Sequence, residues 1–163
     1  MVTRRSRADE AEAVAALITL AYRVEAFFVT GDRTDATDVR ARMQRGEFLV
    51  VDDPPGVLAG CVYVELRSGR GYFGMLSVDP ARQGHGLGRI LVAAAEARCQ
   101  AAGCDEMEIE VVNLRTELPP FYRRLGYAEG GTRPFPSDER VMQPCHFIVM
   151  NKPLASVTQS SPD

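Results

Sequence analysis

A long alanine-rich segment set between two strand-like runs constrains this chain more than any other feature. "YFGMLSVD" (72–79) reads as a strand. From Gly84 to Ala102 the pattern turns helical, with Leu87, Leu91, Ala94 and Ala95 on one face and Gly103 as its stop. "EMEIEVV" (106–112) then alternates acid and hydrophobe as a half-exposed strand does. Strand–helix–strand from Tyr72 to Val112 predicts a right-handed crossover between parallel strands. The runs upstream predict the opposite pairing. "EFLVVDD", "VLAGCVYVEL" and "YFGMLSVD" are joined by the tight turns "PPG" and "RSGRG", the pattern of an antiparallel meander. One sheet must therefore carry both kinds of pairing.

Around this frame the remaining elements fall into order. "MVTRR" offers a short first strand. Val14, Leu17, Ile18, Ala21 and Tyr22 recur at helical spacing behind "SRAD", where Ser6 is the expected cap with an acid three residues on. After the loop "VEAFFVTGDRT", a second helix is predicted from about Asp35 to Arg45, closed by Gly46. A short helix at Pro120–Leu125 and strands at Tyr127–Glu129 and His146–Lys152 complete the fold. The polar tail "ASVTQSSPD" is expected to fray. No repeat and no linker divides the chain, so residues 1–154 read as one domain and 155–163 as a tail.

Composition narrows the function classes. At 163 residues, 45% hydrophobic and 25% charged, the chain is long enough for one globular core. Its net charge of −3, from 19 basic and 22 acidic side chains, gives no electrostatic reason to expect nucleic acid or an anionic membrane as partner. Cys61, Cys99, Cys104 and Cys145 form no zinc-type spacing with His85 or His146, so no metal is expected and the thiols read as buried and reduced. The N-terminus lacks the apolar run of a signal peptide, and no stretch has the length of a membrane span; a cytoplasmic protein is the expectation.

The segment that opens the long helix carries chemistry. Gly84, Gly86 and Gly88 stand at a strand-to-helix turn, where the first backbone N–H groups of a helix lack partners and its dipole favours negative charge. Glycine lets a phosphate approach without a Cβ in the way. A dinucleotide fold would place GxGxxG after a first strand, but here "GHGLG" follows a meander; a P-loop would need a lysine, and the loop has none. A glycine-rich turn can also serve close strand–helix packing alone. "FYRRLGY" can likewise be a core-facing helix end.

Two motifs together resemble the GNAT superfamily of N-acetyltransferases. "VDPARQGHGLGRILV" is similar to the family's acetyl-CoA signature, with Gln83, Gly86 and Gly88 at its fixed positions, and "NLRTELPPFYRRLGY" is similar to its second marker through Asn113, Tyr122, Gly126 and Tyr127. The resemblance implies an α/β (α+β) fold. Its sheet is mixed and mostly antiparallel, of six to seven strands with about four helices, and a parallel splay between the fourth and fifth strands binds CoA. It implies acetyl transfer from acetyl-CoA to a primary amine of a small molecule or peptide, by direct attack in a ternary complex. The alternative is a non-catalytic acyl-CoA-binding regulatory module. Dimers are common in the family, so a homodimer is an open expectation.

Residue by residue, the resemblance places the pyrophosphate on Gln83, Gly84, His85, Gly86, Leu87, Gly88 and Arg89, with Arg82 and Arg89 adding charge. A bulge in "GMLSV" would free the backbone of Leu76, Ser77 and Val78 for the pantetheine arm and the acetyl carbonyl. Asn113 would hold pantetheine or a relay water. Tyr122 is the expected general acid, since a phenol of pKa near ~10 is protonated at neutral pH and can protonate a leaving thiolate. Glu25, Glu65 and Glu110 are candidate bases, with Glu25 preferred because its loop borders the acceptor cleft in the family. Phe27, Phe28 and Arg33 are the expected acceptor contacts, with the segment after Gly130, carrying Arg133, Phe135 and Asp138, over the same end. That mixture suits a zwitterionic or acid-bearing small amine, or a peptide N-terminus.

Overall fold

Seven strands form a single sheet in the computed structural model, which describes residues 1–136 and 138–155. Strands β1 (Thr3–Arg5), β2 (Glu47–Asp52), β3 (Leu58–Arg67) and β4 (Arg70–Val78) are followed by β5 (Glu106–Val112), β6 (Ala128–Pro134) and β7 (His146–Pro153), in the spatial order β1-β2-β3-β4-β5-β7-β6. Every pairing is antiparallel except β4 with β5. Helices α1 (Ala11–Ala21), α2 (Ala36–Met43), α3 (Leu87–Ala101) and α4 (Leu118–Arg124) cover the faces. The mixed sheet and the crossover through α3 follow the sequence pattern.

Each sheet face has its own core. Leu87, Leu91, Val92, Ala95 and Cys99 of α3 pack on Val62, Val64, Phe73 and Ile109, joined by Tyr122 and Tyr127. On the other face Val14, Leu17 and Ile18 of α1 and Val39 of α2 meet Phe48, Val50, Tyr63 and Met75. Gly71 is needed beneath α3, because a Cβ there would stand 2.5 Å from the Cys99 sulfur.

The sheet opens along one line. Only Gly71↔Met107 and Tyr72↔Glu108 pair β4 with β5; beyond them the strands splay. Just past that point β4 carries a bulge: Cys61 faces Ser77 and Tyr63 faces Gly74, leaving Met75 and Leu76 opposite one residue. Met75 takes a left-handed conformation, φ 53°. Its side chain is thereby turned into the α1 core, while Leu76 and Val78 face the α3 side.

Several boundaries differ from expectation for local reasons. Ser6 is not the cap: its amide extends the β1–β2 ladder to the Phe48 carbonyl at 2.8 Å, and the Glu10 carboxylate accepts from the Arg7 amide at 2.7 Å, one position later. α2 is shorter than predicted and is capped by Asp35, which accepts from the Asp38 amide at 2.8 Å. Gly46 serves close approach, since a Cβ would sit 2.2 Å from the Val64 carbonyl. α3 begins at Leu87 rather than Gly84, and α4 runs two residues ahead of its predicted start. β6 extends to Pro134, well past Glu129; its residues are all exposed, so no hydrophobic alternation marked it. Cys61, Cys99 and Cys104 are buried, but Cys145 is half-buried. The tail from residue 156 on, expected to fray, lies outside the described residues.

Candidate active site

A cleft of about 840 Å³ lies along the splay, bounded by the end of α1, the outer edge of β4, the start of α3 and the β5–α4 connection. Of the residues predicted from sequence, Leu76, Val78, Gln83, Gly84, Gly86, Leu87, Gly88 and Arg89 line it. Gly84 (φ 85°) and Gly86 (φ 79°) are both left-handed, with His85 exposed between them. A Cβ added at either glycine would meet nothing within 4 Å, so the space in front of the turn is open.

The start of α3 is prepared for an anion. Gly86 occupies its N-cap position and supplies no side-chain hydrogen bond, unlike Asp35 at α2. Its first turn holds no acid and contains Arg89, the reverse of what the helix dipole favours when no ligand anion is present. Arg23, Arg89 and Arg124 line the cleft and make no ion pair among the described residues. Arg82 is different. Its guanidinium turns to Asp53 at 3.3 Å, with Nε buried and unpartnered, so it does not line the cleft. Ser77 is also turned away: its hydroxyl donates to the Met75 carbonyl at 3.0 Å.

At the inner end, three tyrosines and an ion pair gather. Arg115 donates to Glu25 at 3.0 Å and to Glu117 at 2.6 Å, tying the loop after α1 to the loop before α4. Glu25 and Arg115 are each mostly buried, with side chains 12% and 15% exposed. Burial raises the Glu25 pKa above its ordinary value, and Arg115 pulls against it. Tyr22, which lines the cleft, is pushed up to about 12 by burial. Tyr122 is raised further by burial, with the Arg115 charge opposing. Its ring is 6% exposed and packs on Phe73, Phe121 and Tyr127, so it sits behind the lining. Its hydroxyl makes no hydrogen bond among the described residues and is not sealed from solvent. Tyr72 folds over Gly74 and is raised by burial and then by Glu110.

The remaining candidates are placed as follows. Asn113 continues the β5–β7 ladder: its amide donates to the His146 carbonyl at 2.9 Å, and its Oδ1 accepts from the His146 amide at 2.8 Å. Glu65 accepts from Tyr63 at 2.9 Å and from Arg67, and Glu110 from Arg133 at 3.2 Å. Phe28 is fully buried, edge-on to Phe27 and Phe135, whereas Phe27 is 49% exposed. Val29 bridges Val141, and Met142 donates to the Phe28 carbonyl, so the two predicted acceptor segments are joined. Arg33 lies over the Tyr22 ring at 5.3 Å. Tyr22, Tyr72 and Arg115 were not among the sequence candidates. Only Arg115, inside the second motif, carried any local signal. Among the described residues, no group of three or more His, Cys, Asp or Glu is placed to hold a metal, and no helix is long and apolar enough to cross a membrane.

These features define an α/β protein whose sheet is split between parallel strands, with an anion-ready helix start at the mouth of the split. Residues 14–127 match the model of the Acetyltransferase (GNAT) family, and this chain belongs to that family. It is 32% identical over 100 residues to mycothiol acetyltransferase of Kineococcus radiotolerans, a match covering 58% of this chain and 32% of that protein. It is 28% identical over 88 residues to N-alpha-acetyltransferase 30 of Saccharomyces cerevisiae, covering 49% and 50%. The chain thus spans a third to a half of the length of these relatives. Among solved structures, it is similar to the ribosomal-protein-S18-alanine N-acetyltransferase of Escherichia coli, with a TM-score of 0.75, 16% identity, and 99% and 98% of the two chains covered. A phosphinothricin acetyltransferase of Sinorhizobium meliloti in complex with AcCoA gives a TM-score of 0.78 at 16% identity, covering 99% and 92%. At these identities the likeness concerns the fold.

Proposed function

We propose that residues 1–154 act as one domain that transfers an acetyl group from acetyl-CoA to a primary amine by direct attack in a ternary complex. The observation that carries this reading is the open Gly84–Gly86 turn ahead of an uncapped α3, facing a β4 edge that has lost its β5 partner. The turn and the unpaired Arg23, Arg89 and Arg124 fit a pyrophosphate, and the free β4 edge fits the pantetheine arm. Bound there, acetyl-CoA supplies the acetyl group as a thioester. The relatives' names span mycothiol, an alanine of ribosomal protein S18 and phosphinothricin, so the acceptor must be argued from this chain's own residues.

The residues divide the work by charge. Backbone N–H groups along Leu76–Val78, where β4 has no β5 partner, would serve the carbonyl oxygen, where negative charge develops. The amine can attack only as a neutral group, and an ordinary α-amine or lysine is largely protonated at neutral pH. Glu25, made more basic by burial, takes that proton directly or through water. As the carbon–nitrogen bond forms, the carbon–sulfur bond breaks and the electron pair leaves on sulfur. The Tyr122 hydroxyl gives its proton to that sulfur and recovers one from solvent. The test is thiol release from acetyl-CoA with a panel of amines. Saturable CoA binding with amine-dependent thiol release supports the enzyme, and CoA binding without turnover on any amine would leave a non-catalytic acyl-CoA-binding module.

A further inference from the structure

Thirteen of the eighteen arginines are ion-paired with a carboxylate; Arg23, Arg33, Arg45, Arg89 and Arg124 are the exceptions among the described residues. Their distribution is not random. Arg23, Arg89 and Arg124 line the cleft along the splay, where the proposed cosubstrate brings its phosphates. Arg45 lies apart, beside a small polar pocket near Arg5, Glu47 and Arg98. Arg33 belongs to neither group. Its guanidinium is stacked over Tyr22, whose ring lines the cleft next to the Glu25–Arg115 pair.

The nearby carboxylates are already engaged. Asp35 caps α2, Asp38 accepts from the Thr34 hydroxyl at 2.6 Å and from Arg42 at 3.2 Å, and Glu25 and Glu117 are held by Arg115. Asp32, on the exposed turn before it, makes no ion pair with Arg33. Arg33 therefore presents a cation beside the proposed proton acceptor, at the end of the cleft where acetyl-CoA carries no anion. Exposed apolar side chains stand on this and the adjoining segment: Val24, which lines the cleft, and Met142 are each 51% exposed and Phe27 is 49% exposed, the segments being held together by the Met142–Phe28 hydrogen bond.

Resting on the acetyl-transfer reading, we propose that the acceptor is an amine that also bears a carboxylate, paired by Arg33, with an apolar group against Val24, Phe27 and Met142. An α-amino acid with a large apolar side chain has all three parts. A planar guanidinium and a carboxylate make paired charge-assisted hydrogen bonds, and one such contact corresponds to about tenfold or more in affinity. An amide or a decarboxylated amine of the same side chain would leave Arg33 unanswered.

The experiment compares L-phenylalanine, L-phenylalaninamide and phenethylamine on wild-type protein and Arg33→Gln. Each is titrated into the protein with and without saturating CoA, and each is assayed for thiol release from acetyl-CoA. Wild type is expected to bind and turn over the amino acid about tenfold or more better than the amide and the amine. In R33Q that preference should fall to about one, while CoA affinity is unchanged, because Arg33 stands away from the phosphate end. Equal binding of the three compounds by wild type, binding of none, or a preference that survives in R33Q would overturn the carboxylate acceptor. Absence of saturable CoA binding would instead overturn the acetyl-CoA reading, and the binding arm without CoA still decides the role of Arg33.

Discussion

Tyr122 keeps its proton because its ring is packed among Phe73, Phe121 and Tyr127 and its hydroxyl meets no base among the described residues. A phenol whose pKa is raised by burial stays protonated at neutral pH, as the proposed donor to the leaving sulfur must. Tyr122→Phe should lower turnover by about 10²- to 10⁴-fold with CoA affinity unchanged, measured by thiol release and by titration. Folding should be barely altered, since the variant removes an oxygen that makes no hydrogen bond among the described residues. Glu25 works in the opposite sense. Only its ionised form accepts a proton, and its pKa lies above the usual carboxylate value because burial outweighs Arg115. The rate should therefore fall as pH drops through that value. Arg115→Met removes the opposing cation while burial remains, so the acid limb of kcat/KM should move to higher pH. The same change strands a buried carboxylate and should cost on the order of 3 kcal/mol in stability. An acid limb that stays in place in R115M would take Glu25 out of the role.

At the scale of elements, α3 and the strands beneath it depend on absent side chains. Gly71 sits under Cys99, where an added Cβ would lie 2.5 Å from Sγ and 2.8 Å from Cβ. Gly71→Ala should destabilise by about 1–3 kcal/mol through overpacking. Adding Cys99→Ala should return part of that loss, a coupling that a double-mutant cycle by chemical denaturation will read. The elements legible in the sequence were those with a strong local pattern. α3 has an apolar stripe and a glycine stop, and β2 to β5 have apolar runs or alternation. β6 escaped in length because all of its side chains are exposed and it is written with Gly130, Gly131 and Pro134. Ser6 missed as a cap because the β1–β2 ladder reaches one residue further than β1 itself and claims its amide.

For the molecule as a whole, the cleft lining at the start of α3 was legible as one motif, whereas its inner end was legible only in part, and the reason is topological. Gln83 to Arg89 are contiguous, so a motif records them. Tyr22, Tyr72 and Arg115 come from three different segments, and only the closure of the sheet and the docking of the loop after α1 bring them to one place, beside the Arg33 already expected at that end. Phe28 had the composition of a substrate contact, yet it is a core residue that fastens that loop to Phe135. A ligand in the cleft touches α1, β4, α3 and α4 together. CoA should therefore raise the melting temperature of the entire domain in one transition. At a hundredfold excess over Kd the gain should be about 2.7 kcal/mol, followed by differential scanning calorimetry. A rise confined to part of the transition would count against a shared cleft.

The brevity of the β4–β5 contact has a mechanical meaning. Two rungs, Gly71↔Met107 and Tyr72↔Glu108, are the backbone ladder pairs that join a four-stranded plate to a three-stranded one among the described residues, and beyond them the two share only side-chain packing in the core under α3. Each plate is braced by its own antiparallel ladders, so the short seam, where Gly71 packs under Cys99 of α3, is the least braced line of the sheet. By lever geometry, a small rotation at that seam would be magnified toward the open end of the wedge, where the proposed cosubstrate would sit.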